Sequence, residues 1–314
     1  MNSPRTRRRP ALRLALLAGL AASLGCSTVA KRGPALLPTA HQVKTGPFVV
    51  YSNAPLKADA PPVRALDRLR ADLAARLDPG VDADPGPVEV YVLDDRNAFL
   101  HLLRFYFPEL PPRRAFFLAQ DDQRIVYTFN GPMLDEDLRH EAAHALLRGR
   151  FGDIPLWLDE GLAEYFEAGP DDLQDRDDRL ARLAADAKAG WKPDLRRLET
   201  LDEVHQMAPR DYRESWAWVD LLLSDPKGGK PLLLAHLQEH DGRTALTTTL
   251  ADRGTDGGTL LAHLGADPAR VVAQKPAADG PHPARVFRLQ DRPAAAEPSR
   301  PPGLLRRLGA LLGL

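Results

Sequence analysis

Two stretches near the middle of the chain read as helices separated by only a few residues, and this pair limits the fold more than any other feature. The first begins near Pro132, places Asp135, Glu136 and Asp137 in its opening turn, and runs to about Arg148 before Gly149. Acidic residues belong in that turn because the helix dipole favours negative charge there. The second spans roughly Leu156 to Glu167 and is stopped by Gly169-Pro170. Helices joined by so short a connector pack side by side. Whatever the first presents on its inner face must therefore meet the second.

What it presents is His140-Glu141-Ala142-Ala143-His144. Residues four apart on a helix differ by about 40° around the axis, so both imidazoles face one way. Two neutral imidazoles on one face can grip a divalent ion at bonds of about 2.0–2.1 Å. Glu141, on the flank, can reach a water at such an ion and remove its proton without becoming a ligand. The second helix carries Trp157-Leu158-Asp159-Glu160-Gly161-Leu162-Ala163-Glu164-Tyr165 and so aims carboxylates back at the first. A catalytic zinc takes three protein ligands and leaves one place for water, and Glu160 would complete that set. The plainer reading makes the histidines surface residues and the second helix a core packer. It explains either segment alone but not both in this order.

HEAAH followed by WLDEGLAEYFE resembles the gluzincin clan of zinc metallopeptidases, and most of all the peptidase-MA-like group of exported bacterial proteins. The resemblance implies Zn2+ held by His140, His144 and Glu160, with Glu141 as general base in the hydrolysis of a peptide or protein substrate. Glu164, one turn beyond Glu160, would support the ligands or compete as one. The resemblance runs loosely from Val43 to about Leu250, but only these two segments are diagnostic. Fifteen residues separate His144 from Glu160, fewer than in aminopeptidase-type gluzincins, which bears on the substrate cleft rather than on the ligand set. The metzincin pattern fails, since Leu147 and Arg150 stand where its Gly and third His belong. Further on, YRESWAWVDLLL resembles a matching segment of the same group. It makes Tyr212 a candidate oxyanion donor, although packing beside Trp216 accounts for it as well. His205 is a weaker candidate of the same kind. His236-Leu237-Gln238-Glu239-His240 fits the inverted HxxEH pattern, but no helix with a suitable Glu follows it.

The remainder of the chain suggests an α+β fold: a small N-terminal mixed sheet with helices, followed by a mainly helical half. Val43–Tyr51 reads as a strand broken at Gly46-Pro47, and Val88–Leu93 as a buried strand. Ala115–Leu118 and Arg124–Phe129 read as a hairpin around Asp121-Asp122. Helices are expected at 62–77, 97–107, 171–188, 210–224, 230–240 and 257–264. The division that follows is a leader over 1–26, a tether over 27–41, a metallopeptidase-like domain over 42–265, and a Pro/Ala/Arg-rich tail over 266–314.

The leader joins Arg5, Arg7, Arg8 and Arg9 to an apolar run of 14 residues, Ala11–Leu24. A membrane-spanning helix needs about 20, so an export signal is the better reading. Ser23-Leu24-Gly25-Cys26 resembles a lipobox, with Ser23 where Leu is usual. A lipidated Cys26 would hold an exported envelope lipoprotein at a membrane surface; plain secretion is the alternative. That cysteine is the only one, so no intrachain disulfide exists and the fold rests on its core or on a metal. A net charge of −1 gives no field for nucleic acid. The competing function is a non-catalytic envelope lipoprotein that keeps the scaffold for binding or assembly.

Overall fold

The interruption at Gly46-Pro47 proves to be a reversal of direction. In the computed structural model, β1 (His41–Thr45) and β2 (Phe48–Ser52) form an antiparallel hairpin whose turn is made by Gly46 at φ 52°. Glycine takes that left-handed conformation at no steric cost. The structure describes residues 36–81, 83, 86–120, 123–169, 172–239, 245–265 and 287–288. The expected leader, Cys26 and nearly all of the tail lie outside them.

Helix α1 (Pro61–Arg76) starts on two prolines, which suit the first turn, and buries Val63, Leu66, Leu69 and Leu73 as the sequence period required. Strand β3 (Val88–Leu93) follows. Helix α2 (Arg96–Tyr106) is capped by Asp95, whose side chain accepts from the Ala98 amide at 2.9 Å. Strands β4 (Phe116–Gln120) and β5 (Gln123–Phe129) make the expected hairpin. The sheet order is β1-β2-β3-β5-β4, with β2, β3 and β5 parallel and the two outer strands antiparallel. The mixed sheet is therefore as expected. A two-residue strand, β6 (Phe287–Arg288), pairs in parallel with β4.

Side chains alternate between the two faces of this sheet, as a pleated strand requires. Val88, Val90, Val92 and Val126 face one core with α1 and the helical half, whereas Tyr91, Leu93, Ile125, Tyr127 and Phe129 face a second core under α2. On that second face Tyr51, Tyr91, Tyr127 and Phe116 are partners across four strands. Their rings stack at 4.9, 5.5 and 4.8 Å between centroids. A one-residue slip would turn every ring to the other side, so the stack fixes register.

The helical half contains α3 (Leu134–Phe151), α4 (Leu156–Glu167), α5 (Leu173–Lys188), the short α6 (Leu195–Leu198), a 3₁₀ turn at Val204–Gln206, α7 (Pro209–Ser224), α8 (Gly229–Gln238), α9 (Leu246–Asp252) and α10 (Gly257–Gly265). Two expectations need correction. Helix α3 passes Gly149 and ends at Gly152, φ 73°, because Phe151 is drawn into the core. From Asp137 to Leu147 every residue of it is buried, since the sheet, α1 and α4 all pack on it. Helix α9 was not among the expected helices; three consecutive threonines are poor helix formers, but Leu246 and Leu250 bury one face of it. No helix among the described residues is long and apolar enough to cross a membrane.

Candidate metal centre

A helix buried on every side must find partners for each polar group it carries, and α3 carries many. Arg139 donates to the carbonyls of Phe166 and Glu167 at 2.9 Å each and to Asp72 at 2.6 Å, binding the carboxyl end of α4 to α3 and α1. Asp137 is held by Arg114. His140, Glu141 and His144 point into the α3–α4 interface and are exposed by no more than 1%.

There the two Nε2 atoms lie 3.1 Å apart, and Oε2 of Glu160 lies 3.6 Å from that of His140 and 3.8 Å from that of His144. A tetrahedral ion with bonds of about 2.0–2.1 Å spaces its ligand atoms about 3.3–3.4 Å apart. The observed triangle straddles that spacing and is too wide for hydrogen bonds from the rings to Glu160. Both oxygens of Glu160 are fully buried with no hydrogen-bond partner. An unpartnered buried carboxylate is costly unless a cation meets it, so this donor set fits a divalent metal ion.

No family model matches the chain, and neither does any curated protein.

The far sides of the two rings are held by carboxylates that the sequence reading missed. His140 Nδ1 meets Glu167 Oε2 at 2.8 Å, and His144 Nδ1 lies 3.0 Å from Asp159 Oδ1, close but poorly aligned. Such partners fix the tautomer that leaves Nε2 free as a ligand. Burial pushes the His140 pKa down, but Glu160 and Glu167 outweigh it and the net shift is well upward. For His144, burial is outweighed by Asp159 and Glu160. A signal for Glu167 was present. Glu160, Glu164 and Glu167 recur at i, i+4 and i+7, an acidic stripe along α4.

Glu141 has an Oε2 that is buried without a hydrogen-bond partner. Burial raises its pKa; the charges of His140, His144 and Arg113 oppose the rise, and Glu160 adds to it. Glu164 turns to Arg179 of α5 instead of joining Glu160. Tyr212 is fully buried on α7, one turn before Trp216, on the helix that backs α4. Its assignment as a donor rests on resemblance alone. His205 is at the surface, paired with Glu203 at 2.9 Å, away from any buried chemistry. Helix α8 ends at Gln238, so Glu239 lies beyond it, and His240 lies outside the described residues.

Position 161 explains how α4 comes to deliver its carboxylates. A Cβ on Gly161 would stand 2.7 Å from the Ser215 carbonyl oxygen and 2.8 Å from its carbon. Glycine beside Glu160 thus lets α7 lie directly against α4, which presses the ligand helix onto α3.

Proposed function

We propose that the chain is a zinc-dependent peptide hydrolase of the gluzincin type, with His140, His144 and Glu160 as metal ligands and Glu141 as general base. One observation supports it above all: the two imidazoles and a carboxylate without a hydrogen-bond partner converge at distances that straddle the spacing of a tetrahedral ion's ligands. Zinc held there would polarise a scissile carbonyl and lower the pKa of a water. Glu141 would be the residue that accepts a proton from the attacking water and returns it to the leaving amine. Burial raises its pKa, which favours its carrying a proton between acceptance and release. Glu167 and Asp159 hold the rings in the ligating tautomer. The export signal and lipidated Cys26 belong to the same proposal and place the enzyme in the cell envelope.

The test is Glu141→Gln. The variant should bind zinc as the wild type does and lose peptide hydrolysis by at least a hundredfold. Activity that survives the change would end the assignment.

A second reading has an observation of its own. The three ligands are exposed by 0–1%, and closed sites are typical of structural zinc. A non-catalytic envelope lipoprotein would keep such a centre for assembly. On the hydrolase reading, neighbouring elements move aside to admit substrate. Stoichiometric zinc in a protein inert towards a broad peptide library would favour the structural role.

A further inference from the structure

Four carboxylates lie on α4, yet only Glu160 meets the imidazole Nε2 atoms. The side chain that sorts them comes from α5. Arg179 is 8% exposed and is caged by three acidic residues: it ion-pairs closely with Glu164, reaches Oε1 of Glu167 at 3.2 Å, and reaches Asp175 at 2.6 Å. The face of Trp216 lies 5.7 Å from its guanidinium carbon. A planar guanidinium can bridge two carboxylates in fixed geometry, which an ammonium does poorly.

Behind this arginine is a second possible ligand cluster. His140, Glu164 and Glu167 offer donor atoms that all lie within 4.8 Å of one another, and all three residues are buried. His140 belongs to both clusters: Nε2 faces Glu160, whereas Nδ1 meets Glu167. Arg179 stands where a second cation would stand. Because it takes one oxygen of Glu167, it also sets the other against Nδ1.

The geometry points to Arg179 as a positioning residue of the metal centre. It acts as an internal cation that holds Glu164 away from the metal, locks Glu167 onto His140, and keeps the centre mononuclear. This inference rests on the metal-binding reading above. Ligand choice among the acidic residues of α4 is then made by α5 rather than by α4.

Zinc stoichiometry at tenfold excess metal and zinc affinity by chelator competition test it, with circular dichroism monitoring the fold. The wild type should hold one zinc per chain. Arg179→Met should take up a second, and Arg179→Met combined with Glu164→Gln should return to one. Glu164→Gln alone should leave zinc affinity within threefold of wild type. Arg179→Lys should weaken it about tenfold as Glu167 loosens. A hundredfold loss in Glu164→Gln would make Glu164 a ligand and overturn the inference. So would a folded Arg179→Met that stays at one zinc, or unchanged affinity in Arg179→Lys. If Arg179→Met does not fold, the Lys and Glu164→Gln results decide. A wild type without zinc would instead sink the parent reading.

Discussion

Replacing Gly161 by alanine tests the packing that delivers Glu160. In the interior of an ordinary helix this change stabilises, by about 1 kcal/mol, because glycine is the poorer helix former. Here the added Cβ would sit 2.7 Å from the Ser215 oxygen and 2.8 Å from its carbon, with Val219 Cγ2 at 3.1 Å. The first two atoms are backbone of α7, so no rotamer change relieves them; α4 and α7 must separate. Forcing a methyl into a packed core costs typically 1–3 kcal/mol, and a fixed backbone obstacle puts this case at the upper end. The net is a loss of roughly 1–2 kcal/mol, or about 2–8 °C in Tm for a domain of this size. Movement of α4 also carries Glu160 away from the imidazoles, so zinc affinity should fall with stability. Thermal melts of the zinc-free protein measure the first effect and chelator competition the second. A Gly161→Ala protein as stable as wild type, with unchanged zinc affinity, would refute the reasoning.

Glu160→Gln should split stability from function. Without zinc it replaces a buried carboxyl that has no hydrogen-bond partner and should cost the protein little stability, while the stabilisation on adding zinc, about 4 kcal/mol at a thousandfold over Kd, disappears. Asp159→Asn and Glu167→Gln should each weaken zinc tenfold to a hundredfold without unfolding the chain, as chelator competition would show. Burial and the facing Glu167 carboxylate push the Glu136 pKa up to about 8. The folded protein therefore keeps a proton that the unfolded chain loses near pH 4.5, and stability falls as pH rises from about 4.5 to about 8, then levels. Glu136→Gln should flatten that slope in denaturant titrations; an unchanged slope would remove Glu136 as its source.

Much of the fold was legible because its causes are local. The β-branched run VEVYVL and the stretch RIVYTF announce strands, and leucine spacing announces α1. His140 and His144 share a face by helix geometry alone. Other features depended on distant partners. Gly149 reads as a helix stop, but burial of Phe151 carries α3 past it. The threonines of α9 are poor helix formers, overridden by Leu246 and Leu250 in the core.

The candidate centre divides in the same way. By itself the amino-acid order determined which residue types could bind a metal and that two imidazoles would point together, since both follow from the period of one helix. Only the tertiary structure decided which of the four α4 carboxylates meets the Nε2 atoms of those rings. Glu160, Glu164 and Glu167 are equivalent along their own helix. What distinguishes them is Arg179 arriving from α5 and α7 pressing on Gly161, and neither contact is local in sequence.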